Sequence, residues 1–238
     1  MKKKIILFGS SGLIGSSLKK YLEKHHDVIG IDKVKKKNLN FLLNTSNYNL
    51  TKKKVAQITK KFKKIDAVII CVYPRTSRKK HPKSLQLNFK DFSKEINTHL
   101  EPFYNLNKIF IDYFKKKGGG SIINFASIYG SFLPRFEIYK GTNMDMPLYY
   151  AMSKSSLIMM TKYLAKINLK NKIRVNSVSP GGIFDNQNKK FVKKYSQFCS
   201  NKNLLKESDL NGIIEFLISD YSKKITGQDF IIDDGFTL

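Results

Sequence analysis

Short apolar runs alternate with helical patterns along all 238 residues of this chain, and no other feature of the sequence narrows its fold so far. KKIILFG (3–9) reads as a buried strand, GSSLKKYLEK (15–24) as an amphipathic helix and DVIGID (27–32) as a second strand. LNFLLN (39–44) is a third strand candidate, and TKKKVAQITKKFKK (51–64) carries the helical period of about 3.6 residues through Val55, Ile58 and Phe62. IDAVIICV (65–72) is apolar on both faces, a long helix is predicted over about 84–116, and GSIINFAS (120–127) is another strand. A helix containing Tyr150 runs to about 169, IRVNSVSP (173–180) is a strand, and a short helix (208–218) precedes a last strand, GQDFIIDDG (227–235).

Strands buried on both faces and taking turns with helices require a parallel sheet covered on each side. Right-handed crossovers make that sheet doubly wound, with ligands at the carboxyl ends of its strands. Neither a repeat nor a linker interrupts the pattern, so residues 1–238 form one domain.

Composition excludes several classes. No apolar run approaches the roughly 20 residues needed to cross a bilayer. The start, MKKKIILFGSSG, imitates a signal peptide, but its apolar run is only IILF, and the expected location is cytoplasmic. Cys71 and Cys199 have no metal-ligand spacing, the four histidines contain no H-x-x-x-H, and no metal is expected. The net charge of +26 would suit a polyanion partner, yet the lysines are spread along the chain in short runs such as Lys2–Lys4, Lys35–Lys37, Lys52–Lys54 and Lys115–Lys117. Charge of this kind speaks to solubility and non-specific binding, and a solvated lysine surface is preferred over a nucleic-acid partner.

Two sites carry chemistry. Between the first strand and its helix sits GSSGLIG, with Gly9, Gly12 and Gly15, where glycines allow a tight turn, close approach of a pyrophosphate and helix–sheet packing. Asp32 ends the second strand, where a carboxylate would accept hydrogen bonds from an adenosine ribose and repel a 2′-phosphate. NAD is therefore expected, with NADP as the alternative because Lys33 and Lys35–Lys37 follow. At the end of SIINFAS stands Ser127, and LYYAMSKSSL (148–157) sets Tyr150 and Lys154 one helical turn apart. An ammonium about 4 Å from a phenol is worth up to about 4 kcal/mol at an effective dielectric of 20. That is enough to bring tyrosine from about 10 towards neutrality, where it becomes an efficient proton carrier.

With Asn97 in the preceding helix, RVNSVSPGG (174–182) and ITGQDFIIDDG (225–235), these residues resemble the short-chain dehydrogenase/reductase family over nearly the whole chain. The resemblance implies an α/β, Rossmann-type doubly wound parallel sheet and an oxidoreductase interconverting a secondary alcohol and a ketone. It makes Tyr150 the acid/base, Ser127 the hydrogen-bond partner of the substrate oxygen, Lys154 a holder of the nicotinamide ribose, and Asn97 the anchor of a proton-relaying water. Cofactor contacts are implied at Gly9, Ser11, Gly12, Leu13, Ile14, Gly15, Asp32, Lys33, Asn44, Cys71, Lys154, Pro180, Gly181 and Ile183. Asn176 is expected to be structural and Tyr149 to serve as wall or packing.

The chain departs from the family pattern in places. Its glycine spacing, G-x-x-G-x-x-G, is commoner in the longer nucleotide-sugar branch; CVYP (71–74) replaces N-N-A-G; Asn44 stands where an aspartate often meets adenine; and the threonine usual after the P-G motif is missing. The stretch between Ser127 and Tyr150 is long and brings Arg135, Phe136, Tyr139 and Lys140 towards the site. Phe191, Tyr195 and Phe198 share a helical face in a second segment that resembles a lid. Substrate loops are placed at about 128–149 and 183–206, with Arg135, Tyr139 and Gly182 as substrate contacts; packing between subunits is the competing account. Aromatics stack on sugar faces and cations bind phosphate, so a sugar or sugar phosphate is the expected substrate. The phrasing SIYG…YKGTNM…YAMSK with SPGGIFDNQ is similar to a bacterial subgroup associated with surface or flagellar glycan modification and sialic-acid-like sugars. By the same resemblance the chain forms a homodimer or homotetramer through its long helices.

Two other functions stay open. One is a nucleotide-sugar epimerase or dehydratase, although only residues 183–238 remain after Gly182 for the larger substrate domain such enzymes use. The other is a non-enzymatic protein that binds cofactor or nucleic acid on the same fold.

Overall fold

Alternation along β1 (Lys4–Phe8) explains how the sheet is covered: Ile5 and Leu7 enter one apolar core, while Ile6 and Phe8 enter the other. In this computed structural model, residues 2–36, 39–62, 64–74 and 86–238 are described. The strands are β1, β2 (Asp27–Asp32), β3 (Phe41–Leu42), β4 (Ala67–Ile70), β5 (Gly120–Phe125), β6 (Ile173–Pro180) and β7 (Asp229–Ile232). They form one parallel sheet in the order β3-β2-β1-β4-β5-β6-β7. The order reverses at β1, so the crevice between the carboxyl ends of β1 and β4 is the topological switch point, where ligands bind.

Helices α2 (Tyr48–Lys61), α3 (Phe89–Lys117) and α4 (Leu148–Ile167) cover one face through Val55, Ile58, Phe103, Phe110, Leu157 and Ile158. Helices α1 (Leu13–Leu22) and α6 (Asn211–Ile218) cover the other through Leu18, Leu22, Ile214 and Leu217. Each such side chain, fully buried, contributes about 1.5–3 kcal/mol. Buried amides cross-link the site's scaffold. Asn124 on β5 pairs with Asn107 of α3 (2.9 Å) and donates to Thr161 of α4 (3.0 Å), which sets α4 against β5.

A third apolar cluster was not legible as such. Ile138 and Tyr139 pack against Phe191, Tyr195, Leu204 and Phe236, joining both substrate-loop segments within one chain. The segment read as a lid is α5 (Lys189–Ser196), with Phe191 and Tyr195 buried. The long helix begins at Phe89; residues 84–85, where it was predicted to start, and Lys37 of the lysine run lie outside the described residues. The third strand shrinks to two residues because only Phe41 and Leu42 pair with β2 at the sheet edge. Among the described residues no helix is long and apolar enough to cross a membrane.

Candidate active site

The β1–α1 turn is built by backbone contact. Gly9 lies at φ +81°, a left-handed conformation that favours glycine, and a Cβ there would strike the Cys71 carbonyl. A Cβ at Gly15 would strike the Gly9 carbonyl, so α1 can approach the turn only without one. Gly12 caps α1 with no side-chain hydrogen bond, and the first turn holds no acidic residue. The helix dipole and the first N–H groups therefore face the cleft uncompensated, which fits a pyrophosphate. Asp32, ending β2, accepts from Ser11 N–H (2.8 Å) and Val34 N–H (3.0 Å). Lys36 stands beside it, donating through Nζ to the Ser11 carbonyl (2.6 Å).

A cleft of about 750 Å³ runs from this turn, across the switch point, to α4 and α5. Every residue expected to hold a cofactor lines it: Gly9 through Gly15 as named above, Asp32, Lys33, Asn44, Cys71, Lys154, Pro180, Gly181 and Ile183. Lys36, one of the lysines placed near a 2′-phosphate, lines it with Thr45 and Ser46, and so do Tyr73, Tyr129, Asp145, Asp185 and Gln187, for which the sequence pointed to no role. The CVYP segment still serves the fold's purpose, since Cys71 N–H donates to the Phe8 carbonyl (3.0 Å) and prolongs β4. Burial pushes the Cys71 thiol up to about 12, so it stays protonated and is no nucleophile.

Ser127, Tyr150 and Lys154 meet in the middle of the cleft. Ser127 accepts from Tyr129 N–H (3.3 Å) and lies close enough to the Tyr150 hydroxyl to influence its titration. Burial raises the Tyr150 phenol well above its ordinary value, and Ser127 opposes that rise. Lys154 stands beside Tyr150 without a hydrogen bond to the phenol. Lys154 Nζ donates to the Phe125 carbonyl (2.8 Å) and lies 5.7 Å from the Tyr150 ring centroid. The reason is local: α4 crosses the end of β5, whose last carbonyl is the nearest strong acceptor.

Burial lowers Lys154 from 10.5 to about 8. Its folded value lies below its unfolded one, so the buried ammonium destabilises the fold by about 3 kcal/mol below pH 8. That penalty fades as pH climbs from about 8 to 10.5. The wild type is therefore expected to gain about 3 kcal/mol relative to Lys154→Met between pH 7.5 and 10.5, read by urea unfolding at several pH values. A constant difference across that range would show that the amine titrates in the fold as it does in the unfolded chain, so that burial does not lower it.

Two expectations need correction, those for Asn97 and Arg135. Asn97 is exposed on the outer side of α3 and does not line the cleft. His99, two residues further round the helix, is buried against Tyr149 and Tyr150. Arg135 is also outside the cleft: its guanidinium lies 4.3 Å from the Phe198 ring and donates to the Leu238 carbonyl (2.8 Å), which ties the loop to the chain's last residues. Gly182 lines the cleft, but its N–H donates to the Tyr195 hydroxyl (2.6 Å) and is taken. Tyr139 keeps its place in the wall, its hydroxyl 3.0 Å from that of Tyr129. Asn176 is structural, bridging the Ile225 carbonyl (3.1 Å) and Gln228 N–H (3.0 Å).

A seven-stranded parallel sheet with this order, a glycine turn at its switch point and a Ser–Tyr–Lys group across the crevice define the dinucleotide-fold class of oxidoreductases. Comparison with known proteins narrows the class. A family profile described as enoyl-(acyl carrier protein) reductase matches residues 23–237. The post-translational flagellin modification protein A of Campylobacter coli is 32% identical over 252 residues, covering 99% of this chain and 98% of that one. A short-chain dehydrogenase from Leptospira borgpetersenii, solved with bound NAD+, superposes with a TM-score of 0.87 at 32% identity over 100% of this chain and 94% of the other. A 4-hydroxyisoleucine dehydrogenase complexed with NADH gives a TM-score of 0.77 at 29% identity, covering 99% of both chains. The chain belongs to the short-chain dehydrogenase/reductase family and is an oxidoreductase acting on CH–OH groups.

Proposed function

We propose that this enzyme uses NAD to interconvert a secondary alcohol and a ketone on a sugar or a closely similar hydroxylated compound. The observation that carries the reading is the single cleft joining Asp32 and the uncapped α1 N-terminus to Ser127, Tyr150 and Lys154. The nicotinamide, when bound, takes or gives the hydride. Ser127 hydrogen-bonds the substrate oxygen and Tyr150 moves its proton. The raised Tyr150 phenol suits the acid role, donating to an oxygen that gains charge as a ketone is reduced. Lys154 orients the ribose from its bond to the Phe125 carbonyl.

Tyr73, Tyr129, Tyr139, Tyr195 and Phe191 wall the substrate end, which supports a sugar face, and the similarity to a flagellin modification protein supports a glycan precursor. With Arg135 committed to Phe198 and the Leu238 carbonyl, the case for a phosphate on that sugar loses its chief residue. Exposed Tyr104 on α3 and Met159, Tyr163 and Ile167 on α4 support a homodimer or homotetramer through those helices. A monomer mass by light scattering at micromolar concentration would remove that part of the reading.

Titration of NADH and NADPH by fluorescence tests the cofactor. Wild type is expected to bind NADH more tightly. Asp32→Ala is expected to weaken NADH binding about tenfold or more, since one hydrogen bond to a charged group is worth about 1.5–3 kcal/mol, and to favour NADPH. Asp32→Asn controls for the acceptors that the Ser11 and Val34 N–H groups need. Binding of neither cofactor would sink the oxidoreductase reading.

A further inference from the structure

Rings from three separate elements close around the Tyr150 side chain. Tyr73 follows β4, His99 belongs to α3, and Tyr150 to α4. The centroids are 5.7 Å apart for Tyr73–His99 at 75°, 6.2 Å for Tyr73–Tyr150 at 64°, and 6.1 Å for His99–Tyr150 at 86°. All three pairs are edge-to-face, the arrangement that ring quadrupoles favour at about 4.5–7 Å. Tyr149 adds a tilted contact to the imidazole at 5.5 Å.

His99 is fixed from outside the triangle. Its Nδ1 lies 2.8 Å from the Glu95 carbonyl, one turn back on α3. A carbonyl only accepts, so Nδ1 carries the proton and the imidazole plane is set by the helix backbone. Three residues on, Pro102 has no N–H to give the Thr98 carbonyl, which makes this the one turn of α3 with an interrupted ladder. Pro102 lines the cleft; His99 does not.

We propose that His99 is a positioning residue for Tyr150: anchored on the Glu95 carbonyl, its ring holds the phenol at the angle that meets Ser127. The proposal rests on Tyr150 being the proton carrier. A hydroxyl displaced by about 1 Å from its productive position can cost about 100-fold in rate.

The test labels the full chain with 3-fluorotyrosine and assigns the Tyr150 fluorine resonance by its loss in Tyr150→Phe. Wild type is expected to give one narrow line, because the ring has one orientation. His99→Leu removes the edge contact and is expected to split or broaden that line, with the melting temperature and NADH affinity preserved. His99→Phe keeps a ring but loses the anchor and is expected to fall between the two. If His99→Leu fails to fold, the His99→Phe line decides. On any hexose or hexosamine that wild type oxidises, His99→Leu is expected to lower kcat about 10- to 100-fold at unchanged KM. An unchanged line in the variants, or equal losses in kcat, KM and NADH affinity, overturns the proposal. Full activity in Tyr150→Phe instead overturns the acid/base reading itself.

Discussion

Tyr150→Phe is expected to lower kcat by about 10²–10⁴-fold, the usual contribution of a positioned proton carrier. The change removes one oxygen and keeps the half-buried ring, so the contacts to Tyr73 and His99 survive. NADH affinity should stay close to wild type, because none of the groups expected at the dinucleotide is altered. Ser127 loses its hydroxyl neighbour but still accepts from Tyr129 N–H. Steady-state kinetics beside the fluorescence titration separate the two effects. A variant with wild-type kcat would place the proton on another group and refute the assignment.

The second large effect falls on the fold. Gly15→Ala puts a methyl group into the Gly9 carbonyl, and neither partner can yield cheaply. Gly9 is held by its N–H to the Ile31 carbonyl (2.9 Å) and by Cys71–Val72 packed against it, while Gly15 sits in the first turn of α1. Overpacking costs about 1–3 kcal/mol where side chains can move. Here the obstacle is backbone, so about 3 kcal/mol or more is expected, a fall in Tm of about 6–12 °C for a chain of this size. Cofactor affinity should fall too, because α1 must retreat from the turn that its N-terminus completes. Ala substitution at Gly212, where nothing lies within 4 Å of an added Cβ, serves as the control and should leave Tm unchanged or raised. A Gly15→Ala chain melting with wild type would show that α1 packs differently from this structure.

The alternating pattern was a reliable guide to topology because burial on both faces leaves a strand no alternative to a covered parallel sheet. The predicted strands at 27–32 and 173–180 match β2 and β6 to the residue. Both are bounded by charged or turn residues, which mark where the ladder stops. β3 was over-read: LNFLLN is apolar enough for six residues of strand, but only Phe41 and Leu42 form the ladder with β2, closed at either side by Asn40 and Leu43 N–H.

At the site, the glycine turn, Asp32, Ser127, Tyr150 and Lys154 were legible because each is placed by a local rule: a turn, a strand end, a helical spacing. Asn97 was not so placed. It and His99 lie two residues apart, about 200° round the helix, and α3 carries apolar residues on more than one side. Which side faces the cleft is decided by Phe103, Leu106 and Phe110 packing on the sheet. Arg135 looked like a free cation among aromatics until the structure brought Phe198 and Phe236 across it from distant points in the chain.

What this sequence determined alone, then, is its parallel doubly wound sheet, the switch-point turn and the Tyr–Lys spacing, all consequences of short-range periodicity and backbone sterics. The tertiary structure decided that Lys154 is tied to the Phe125 carbonyl as it stands beside Tyr150, that His99 and not Asn97 stands against Tyr150, and that the two substrate loops pack on one another. Those outcomes depend on which groups from remote segments compete for one acceptor or one cavity, and that competition exists only once the chain has closed on itself.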